Sequence, residues 1–171
     1  MKLVLFSVDG GEITPGLLTD RGVVSIADAT QSVAGPTQMD TMRGIIDGWD
    51  GLKDALATLN ADAPAEALDG VRLHPPLPRP GKMLCCIGNY WEHDAEREAR
   101  PLNMFLKNPD AVIGPGDTVE LPEITEPWIY MHEAELAIVI KGPAKTIARD
   151  DWRGAVFGHS GLTAVSARGG G

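Results

Sequence analysis

The chain has 171 residues, 43% hydrophobic residues and a formal net charge of −9, with a pI near 4.8. This length suits one globular domain, or one domain with a small appendage. The acidic balance argues against a nucleic-acid partner, because phosphate binding needs a basic surface. No apolar run approaches the roughly 20 residues that span a bilayer, which argues against a membrane partner, and no signal peptide is evident, so we expect a cytoplasmic protein.

The first part of the chain predicts a small N-terminal α/β module over residues 1–74. Three short strands, separated by Gly and Asp turn signals, are predicted at KLVLFSV, GLLT and GVVSIAD. Two helices follow. TQMDTMRGIIDGW opens with Thr37, which can cap a helix, and GLKDALATLN spaces Leu52, Leu56 and Leu59 at helical intervals.

A proline-rich run, LHPPLPRPGK, comes after this module. Its prolines cannot lie inside regular hydrogen-bonded ladders, so residues 75–81 are predicted to form a rigid connector. A surface loop within one domain is the alternative.

Beyond the connector, strands are predicted at KMLCCI, MFLK, AVI, DTVELP, AELAIVIK and GAVFGHSG. The exception is NYWEHDAEREARP, where Asn89 can cap a helix that Pro101 ends. On such a helix His93 and Glu96 share one face, three residues apart. Without further context, this pattern is typical of a charged, solvated helix.

The stretch WIYMHEAELAIVIKG contains two glutamates, Glu133 and Glu135. The zinc-protease pattern H-E-x-x-H fails here, because Leu136 stands where the second histidine should be, and the β-branched residues that follow favour a strand. On a strand both carboxylates share one face, and the apolar run to Ile140 predicts that the strand then enters a core. A magnesium site is one hypothesis for the pair, and a solvated strand end is the other.

Four blocks, in this order and spacing, resemble the fumarylacetoacetate hydrolase family: KMLCCIGNYWEHDAE, MFLKNPDAVIGPGD, HEAELAIVIKGPAK and VFGHSGLTAVSAR. The match runs from about Lys82 to Arg168. The resemblance implies an α+β, mainly β fold, in which a mixed, rolled β-sheet domain over residues 82–171 buries the site. It also implies a homodimer that acts on small keto acids with Mg²⁺ or Mn²⁺.

The same resemblance implies roles for individual residues. Glu133 and Glu135 correspond to two metal ligands of the family. Tyr90 and His93 belong to an asparagine-tyrosine-x-x-histidine block, and the family pairs this histidine with a glutamate one helical turn later, here Glu96. His93 and Glu96 are then the catalytic pair, while Tyr90 is expected to contact the substrate.

Lys107 in MFLK also falls in a familiar block and is expected to contact the substrate. The implied reaction splits a carbon-carbon bond beside a carbonyl, as in acylpyruvates or fumarylacetoacetate. It leaves an enolate whose charge a divalent ion can stabilise as a Lewis acid. A histidine near neutral pKa can take the proton of the attacking water. If water is excluded, the same site could decarboxylate an oxaloacetate-like acid.

Two departures from the family pattern favour a different hypothesis. The family carries an aspartate as third metal ligand where this chain has Ala164, and the family sequence continues beyond Gly171, so the catalytic domain is expected to be incomplete. The alternative to a hydrolase or decarboxylase is therefore a non-catalytic remnant with a ligand-binding or dimerising role.

Overall fold

The N-terminal elements form a four-stranded antiparallel sheet in a computed structural model that describes residues 1–88, 101–121, 123 and 128–169. In spatial order the strands are β3 (Gly22–Ser25), β2 (Thr14–Thr19), β1 (Lys2–Val8) and β4 (Val71–His74). The first three strands confirm the prediction, although β3 ends earlier than GVVSIAD suggested because a helix begins at Ala27. β4 was missed, since it is four residues long and is defined by its pairing with the distant β1.

Three α-helices follow β3: α1 (Ala27–Thr30), α2 (Gln38–Asp47) and α3 (Trp49–Asp62). The predicted cap of α2 is confirmed, because the Thr37 hydroxyl accepts a hydrogen bond of 3.1 Å from the Asp40 N–H. This bond satisfies one of the amide groups that lack a partner at the start of a helix. The second predicted helix is also confirmed and extends beyond both ends of GLKDALATLN.

The core of this region lies between the sheet and the helices. Its fully buried cluster comprises Leu5, Leu17, Val24, Ile26, Met42, Ile45 and Leu56. Leu52 and Leu59 pack against the cluster, as their helical spacing predicted. Each element contributes one apolar face, which is the arrangement that removes most apolar surface from water.

The proline-rich segment is attached to neighbouring elements. Leu77 packs against the buried cluster, and the Arg79 guanidinium pairs with the Asp110 carboxylate. The Arg72 guanidinium at β4 lies 2.8 Å from the Asp117 carboxylate. The connector at residues 75–81 stays a prediction, but within the described residues this segment lies against both the core and the stretch 108–117.

Two predicted strands are wrong. AVI overlaps the end of a 3₁₀-helix, Pro109–Ala111, in which the Asn108 side chain accepts a hydrogen bond from the Asp110 N–H. Pro109 has no N–H to give to a ladder, so this local turn prevails over the apolar pattern. At DTVELP the described residues, up to Leu121, contain no strand, and the Asp117 carboxylate instead accepts a hydrogen bond from the Gly114 N–H.

Two antiparallel pairs complete the described structure. β5 (Met83–Cys86) pairs with β6 (Met104–Lys107), and β7 (Trp128–Ile140) pairs with β8 (Val156–Gly169) along almost their entire length. The β7–β8 pair, called the ribbon below, has one irregularity between Val139 and Ile140. GAVFGHSG is predicted as strand from its first residue. Its first two residues instead belong to a 3₁₀-helix, Arg149–Ala155, and β8 begins at Val156.

The described contacts divide the chain into two compact units, Met1–Asp117 and Thr118–Gly171. The chain thus has the mixed helix and strand content that was expected. Every strand pair described is antiparallel, and the mixed, rolled sheet and the domain boundaries stay predictions. None of the helices in the described ranges has the length and apolar character needed to cross a membrane.

Candidate metal centre

Glu133 and Glu135 lie on one face of β7, as the spacing of two on a strand predicted. The segment is a strand of 13 residues rather than a helix, so the rejection of the H-E-x-x-H pattern is confirmed. Both glutamates are half-buried, whereas the preceding His132 is exposed on the opposite face. The strand therefore separates the two carboxylates from the neighbouring imidazole.

The facing strand, β8, completes the surface around the two carboxylates. Ala164 lies directly opposite Glu133, and Leu162 lies directly opposite Glu135. Directly opposed residues in an antiparallel pair project to the same side, so the four side chains form one contiguous patch. Ala164 is 6% exposed. We call these four residues the glutamate face of the ribbon.

The other face of the ribbon differs from the expectation that β7 enters a core. Leu136, Ile138 and Ile140 are 58%, 54% and 53% exposed. A core on both sides of this strand is therefore wrong for the described residues. In a two-stranded ribbon each strand has a neighbour only within the plane of the ribbon. Side chains that project from a face are buried only where a further layer of structure covers that face.

The donor chemistry of the glutamate face fits a hard divalent cation. The Cα atoms of residues two apart on a strand are about 6.7 Å from each other, close enough for two flexible Glu side chains to converge on one ion. Carboxylate oxygens are the ligands that Mg²⁺ and Mn²⁺ prefer. The described residues contain no group of three or more His, Cys, Asp or Glu suited to a metal. An ion held here by Glu133 and Glu135 would therefore keep water or a ligand at its other positions.

The remaining predicted site residues are distributed differently. Lys107 ends β6 opposite Met83, is half-buried, and its ammonium lies 5.9 Å from the centroid of the Phe105 ring. Tyr90, His93 and Glu96 lie outside the described residues, so their roles stay predictions. The roles of Lys107, Glu133 and Glu135 also stay predictions.

One residue of the glutamate face was not singled out from the sequence. Leu162 lies beside Glu135, and its position follows from the register of β8. Once Ala164 is placed on this face, the two-residue period of a strand indicates Leu162 as the next residue on the same side. That signal was present in the sequence, but it has no meaning until the pairing partner is known.

A concave surface occurs in the N-terminal module and has a structural explanation. Its lining includes Lys2, Asp20, Arg21 and Asn60. The Arg21 guanidinium donates hydrogen bonds to the carbonyl oxygens of Ala63, at 2.8 Å, and Asn60, at 3.0 Å. These bonds satisfy carbonyl groups at the end of α3. The Arg21 side chain therefore caps the C-terminal end of α3.

Comparison with known proteins gives consistent matches in sequence. The model of the fumarylacetoacetate (FAA) hydrolase C-terminal family matches residues 82–169. The chain is 36% identical to the oxaloacetate tautomerase YisK of Bacillus subtilis in an alignment of 110 residues that covers 60% of this chain and 36% of that protein. It is 32% identical to the human mitochondrial oxaloacetate tautomerase FAHD2A in an alignment of 138 residues that covers 78% of this chain and 43% of that protein.

Solved structures match as well. A crystal structure of maleylpyruvate hydrolase from Sphingobium sp. SYK-6 has a TM-score of 0.82 and 32% identity, and the match covers 99% of this chain and 60% of that one. A second structure of that hydrolase, in complex with manganese(II) and pyruvate, has a TM-score of 0.82 and 30% identity. The chain spans less than half the length of the two tautomerases above. The matched region 82–169 contains the whole glutamate face.

Proposed function

The chain belongs to the fumarylacetoacetate hydrolase family, and on that premise we propose that it serves the metal-dependent hydrolysis of a carbon-carbon bond in small keto acids. Acylpyruvates and fumarylacetoacetate are the substrate type. The observation that carries the proposal is the pair Glu133 and Glu135, half-buried on one face of a strand within the matched region. The similarity to a maleylpyruvate hydrolase whose structure contains manganese(II) and pyruvate supports it.

Glu133 and Glu135 would hold the cation, Mg²⁺ or Mn²⁺, through their carboxylate oxygens. A bound divalent cation supplies Lewis-acid chemistry, because it polarises the keto oxygen of a substrate. The two carboxylates themselves orient the site and balance charge. Ala164 and Leu162 contribute apolar surface beside them, which limits the water that competes for the same place.

The proton chemistry is assigned to the predicted pair His93 and Glu96. His93 takes a proton from water, whose hydroxyl then adds to the acyl carbon, and the proton is delivered to the carbon on the other side of the broken bond. Glu96 orients the imidazole for this transfer. Tyr90 and Lys107 would contact the substrate, and the positive charge of Lys107 suits its carboxylate group.

Tautomerisation of oxaloacetate is a second candidate function. It is favoured by the two relatives from Bacillus subtilis and human that carry this activity in their names. Tautomerisation moves one proton beside a polarised carbonyl and breaks no carbon-carbon bond, so it needs the same base without an attacking water. Decarboxylation of an oxaloacetate-like acid is a related outcome when water is excluded.

Ala164 supports a further alternative, a non-catalytic remnant that retains a ligand-binding or dimerising surface. A homodimer and a cytoplasmic location remain part of our proposal. The exposed apolar face of the ribbon supports the homodimer, because such a patch is typical of a contact surface. Sedimentation analysis at several protein concentrations checks the oligomeric state.

The experiment that tests the proposed function replaces each metal ligand by its neutral isostere. We expect Glu133→Gln and Glu135→Gln each to weaken Mn²⁺ binding by at least about tenfold. Replacing a residue that only supports a metal ligand already lowers metal affinity by about this factor, so replacing a ligand itself should cost at least as much. Calorimetry with Mn²⁺ measures this. Glu120→Gln is the matched control, since Glu120 is an exposed glutamate outside the ribbon. Unchanged affinity in both glutamate variants would exclude the metal site.

Product analysis of the wild-type protein separates the candidate reactions. Formation of pyruvate and acetate from acetylpyruvate identifies hydrolysis. Interconversion of the enol and keto forms of oxaloacetate, without release of CO₂, identifies tautomerisation. Binding of Mn²⁺ and pyruvate with neither reaction identifies the non-catalytic alternative.

A further inference from the structure

Four aspartates of this chain are followed directly by a glycine: Asp9, Asp47, Asp50 and Asp69. An Asp-Gly pair can rearrange without an enzyme, because glycine has no side chain to hinder the attack of its own backbone nitrogen on the preceding carboxyl group. The attack requires a nitrogen that is free of other hydrogen bonds and a backbone that can rotate. The local structure therefore decides which of the four pairs reacts in the folded protein.

At three of the four pairs, the glycine N–H already makes a hydrogen bond. The Gly48 N–H donates to the Gly44 carbonyl oxygen at 2.9 Å, where α2 ends. The Gly51 N–H donates to the Gly48 carbonyl oxygen at 3.0 Å in the first turn of α3. The Gly70 N–H donates to the Ala67 carbonyl oxygen at 3.1 Å, at the end of a 3₁₀-helix. Each bond must break before that nitrogen can react.

The fourth pair, in the turn between β1 and β2, differs from the others. The Gly10 N–H makes no hydrogen bond among the residues that the structure describes. The Gly11 N–H closes the turn by donating to the Val8 carbonyl oxygen at 2.8 Å. Residues 8–11 are all exposed, and a Cβ atom placed on Gly10 would meet no atom within 4 Å. Neither a hydrogen bond to the Gly10 nitrogen nor packing around it opposes the rearrangement.

The backbone of this turn also favours a reaction at Asp9. The φ angles are +50° at Asp9 and +72° at Gly10, the pattern of a type I′ turn. Glycine adopts a positive φ without steric cost, whereas a residue with a Cβ atom is strained there. Exposed loop tips are also the parts of a fold that open locally at the lowest cost in free energy. The turn can therefore reach the geometry for ring closure while the sheet stays folded.

We propose that Asp9 is a modification site, at which the folded protein converts aspartate into isoaspartate. The Gly10 nitrogen attacks Cγ of the protonated Asp9 carboxyl group. A bond between nitrogen and Cγ forms, the bond from Cγ to the hydroxyl breaks, and the hydroxyl leaves with the amide proton as water. The product is a succinimide.

The succinimide then takes up water at one of its two carbonyl carbons. Addition at Cγ restores aspartate. Addition at the main-chain carbonyl carbon of Asp9 breaks the original peptide bond and leaves isoaspartate, with no net change in mass. Isoaspartate adds one atom to the main chain, so the turn that the bond between Val8 and Gly11 closes cannot keep its geometry.

Ageing of the wild-type protein tests the proposal. The protein is kept for weeks at neutral pH and physiological temperature and is digested with trypsin, which leaves the four pairs on the peptides 3–21, 44–53 and 54–72. Labelling with a protein isoaspartate methyltransferase measures the isoaspartate in each peptide, and electron-transfer fragmentation locates it. We expect peptide 3–21 to contain most of the isoaspartate, at residue 9. A content no higher than in the other two peptides overturns the proposal.

The same chain unfolded in guanidinium chloride separates the turn from the local sequence. Without the hydrogen bonds of the folded state, the four pairs should react at similar rates. If peptide 3–21 leads by the same factor in the unfolded chain, its sequence and not the turn is the cause, and the proposal is wrong.

Asp9→Asn and Asp69→Asn form a matched pair of variants. Ammonia leaves an asparagine side chain at neutral pH more readily than water leaves aspartate, so each variant reports on its own site in a shorter time. We expect isoaspartate to form roughly two- to tenfold faster at residue 9 than at residue 69, the factor that corresponds to the net cost of breaking one hydrogen bond. Circular dichroism establishes that both variants are folded. Equal rates contradict the proposal, and if either variant does not fold, the wild-type comparison decides.

Discussion

The chemistry of individual residues in the ribbon depends on the face that each one occupies. His132 and Glu133 are adjacent in sequence and look like a metal motif, yet the strand directs them to opposite sides. Glu133 and Glu135, which are separated by an alanine, share the face of the ribbon on which Ala164 also lies. The two-residue period of a strand, rather than proximity in sequence, therefore defines this site.

His93→Ala is the sharpest single-residue prediction for catalysis. A general base typically contributes about 10²- to 10⁴-fold to the rate, so turnover of acetylpyruvate should fall by that factor. Mn²⁺ affinity should be nearly unchanged, because the proposed ligands are the two glutamates. Steady-state kinetics and calorimetry on the same preparation measure both quantities.

His159→Ala is the control for this prediction. His159 is exposed on β8, opposite Ile138, on the face of the ribbon away from the two glutamates. Its loss should leave turnover close to the wild-type value. Normal turnover of the His93 variant would mean that NYWEHDAEREARP is a solvated segment without a part in the reaction.

At the scale of elements, the stretch 108–117 is held to β4 and the proline-rich segment by polar contacts. Asp117 accepts a hydrogen bond of 2.8 Å from the Gly114 N–H and pairs with Arg72 at 2.8 Å. Gly114 lies so close to Pro75 that a Cβ atom at that position would be 2.8 Å from the proline Cδ. A glycine therefore allows this turn to approach the segment.

These contacts predict a pH dependence of stability. The hydrogen bond from Gly114 lowers the pKa of Asp117, with smaller contributions from the side chain of Arg72 and the charge of His74. Because the folded pKa is below the unfolded value of about 3.9, the stabilisation is present above that value. It is lost as pH falls through the folded pKa. Urea unfolding of wild type and Asp117→Asn should differ at neutral pH and converge under acidic conditions.

The cause of the shift can be measured separately. In Arg72→Gln the pKa of Asp117, followed by NMR, should rise only in part, because the Gly114 N–H remains. Arg79→Gln is the control, since Arg79 pairs with Asp110 and not with Asp117. A complete return of the Asp117 pKa to its ordinary value in Arg72→Gln would show that the ion pair, and not the backbone, dominates.

At the scale of the whole molecule, burial is concentrated in one compact unit. Every fully buried apolar residue in the described part of the chain, except Ala164, lies between Leu5 and Leu56. The unit Met1–Asp117 contains the three α-helices and the four-stranded sheet that enclose this core. The unit Thr118–Gly171 is dominated by the ribbon, in which one face is largely exposed and the glutamate face is half-buried wherever burial is described, with Ala164 as its one buried residue.

We expect a chain that ends at Asp117 to unfold cooperatively in urea, because it retains the whole buried cluster. Within it, Leu17→Ala should lower the free energy of unfolding by about 2–5 kcal/mol, the usual cost of such a cavity. Leu84→Ala, at a position 59% exposed, should change it by no more than about 0.5 kcal/mol. Circular dichroism measures both, and a non-cooperative transition would mean that the core depends on residues beyond 117.

Local patterns in the sequence were sufficient for several features. The alternation in KLVLFSV, the cap at Thr37 and the helical spacing of Leu52, Leu56 and Leu59 act within a few residues, and the structure has the corresponding strand and helices. The spacing of Glu133 and Glu135 placed them on one face for the same reason. The four family-like blocks also identified the family that the comparison matches.

Other features were decided by contacts between residues far apart in the chain. Pairing with β1 defines β4, and Asn108 with Pro109 turns an apolar triplet into a 3₁₀-helix. The exposed side of β7 differs from its apolar sequence, because burial depends on the layer that covers a strand and not on the strand itself.

The position of Ala164 opposite Glu133 combines both levels. The sequence by itself determined which residues alternate on each strand, because that alternation is a property of the extended backbone. Only the tertiary structure decided which residue of β8 faces which residue of β7, since register is a property of the pair, and a slip of one residue would turn every β8 side chain to the other face.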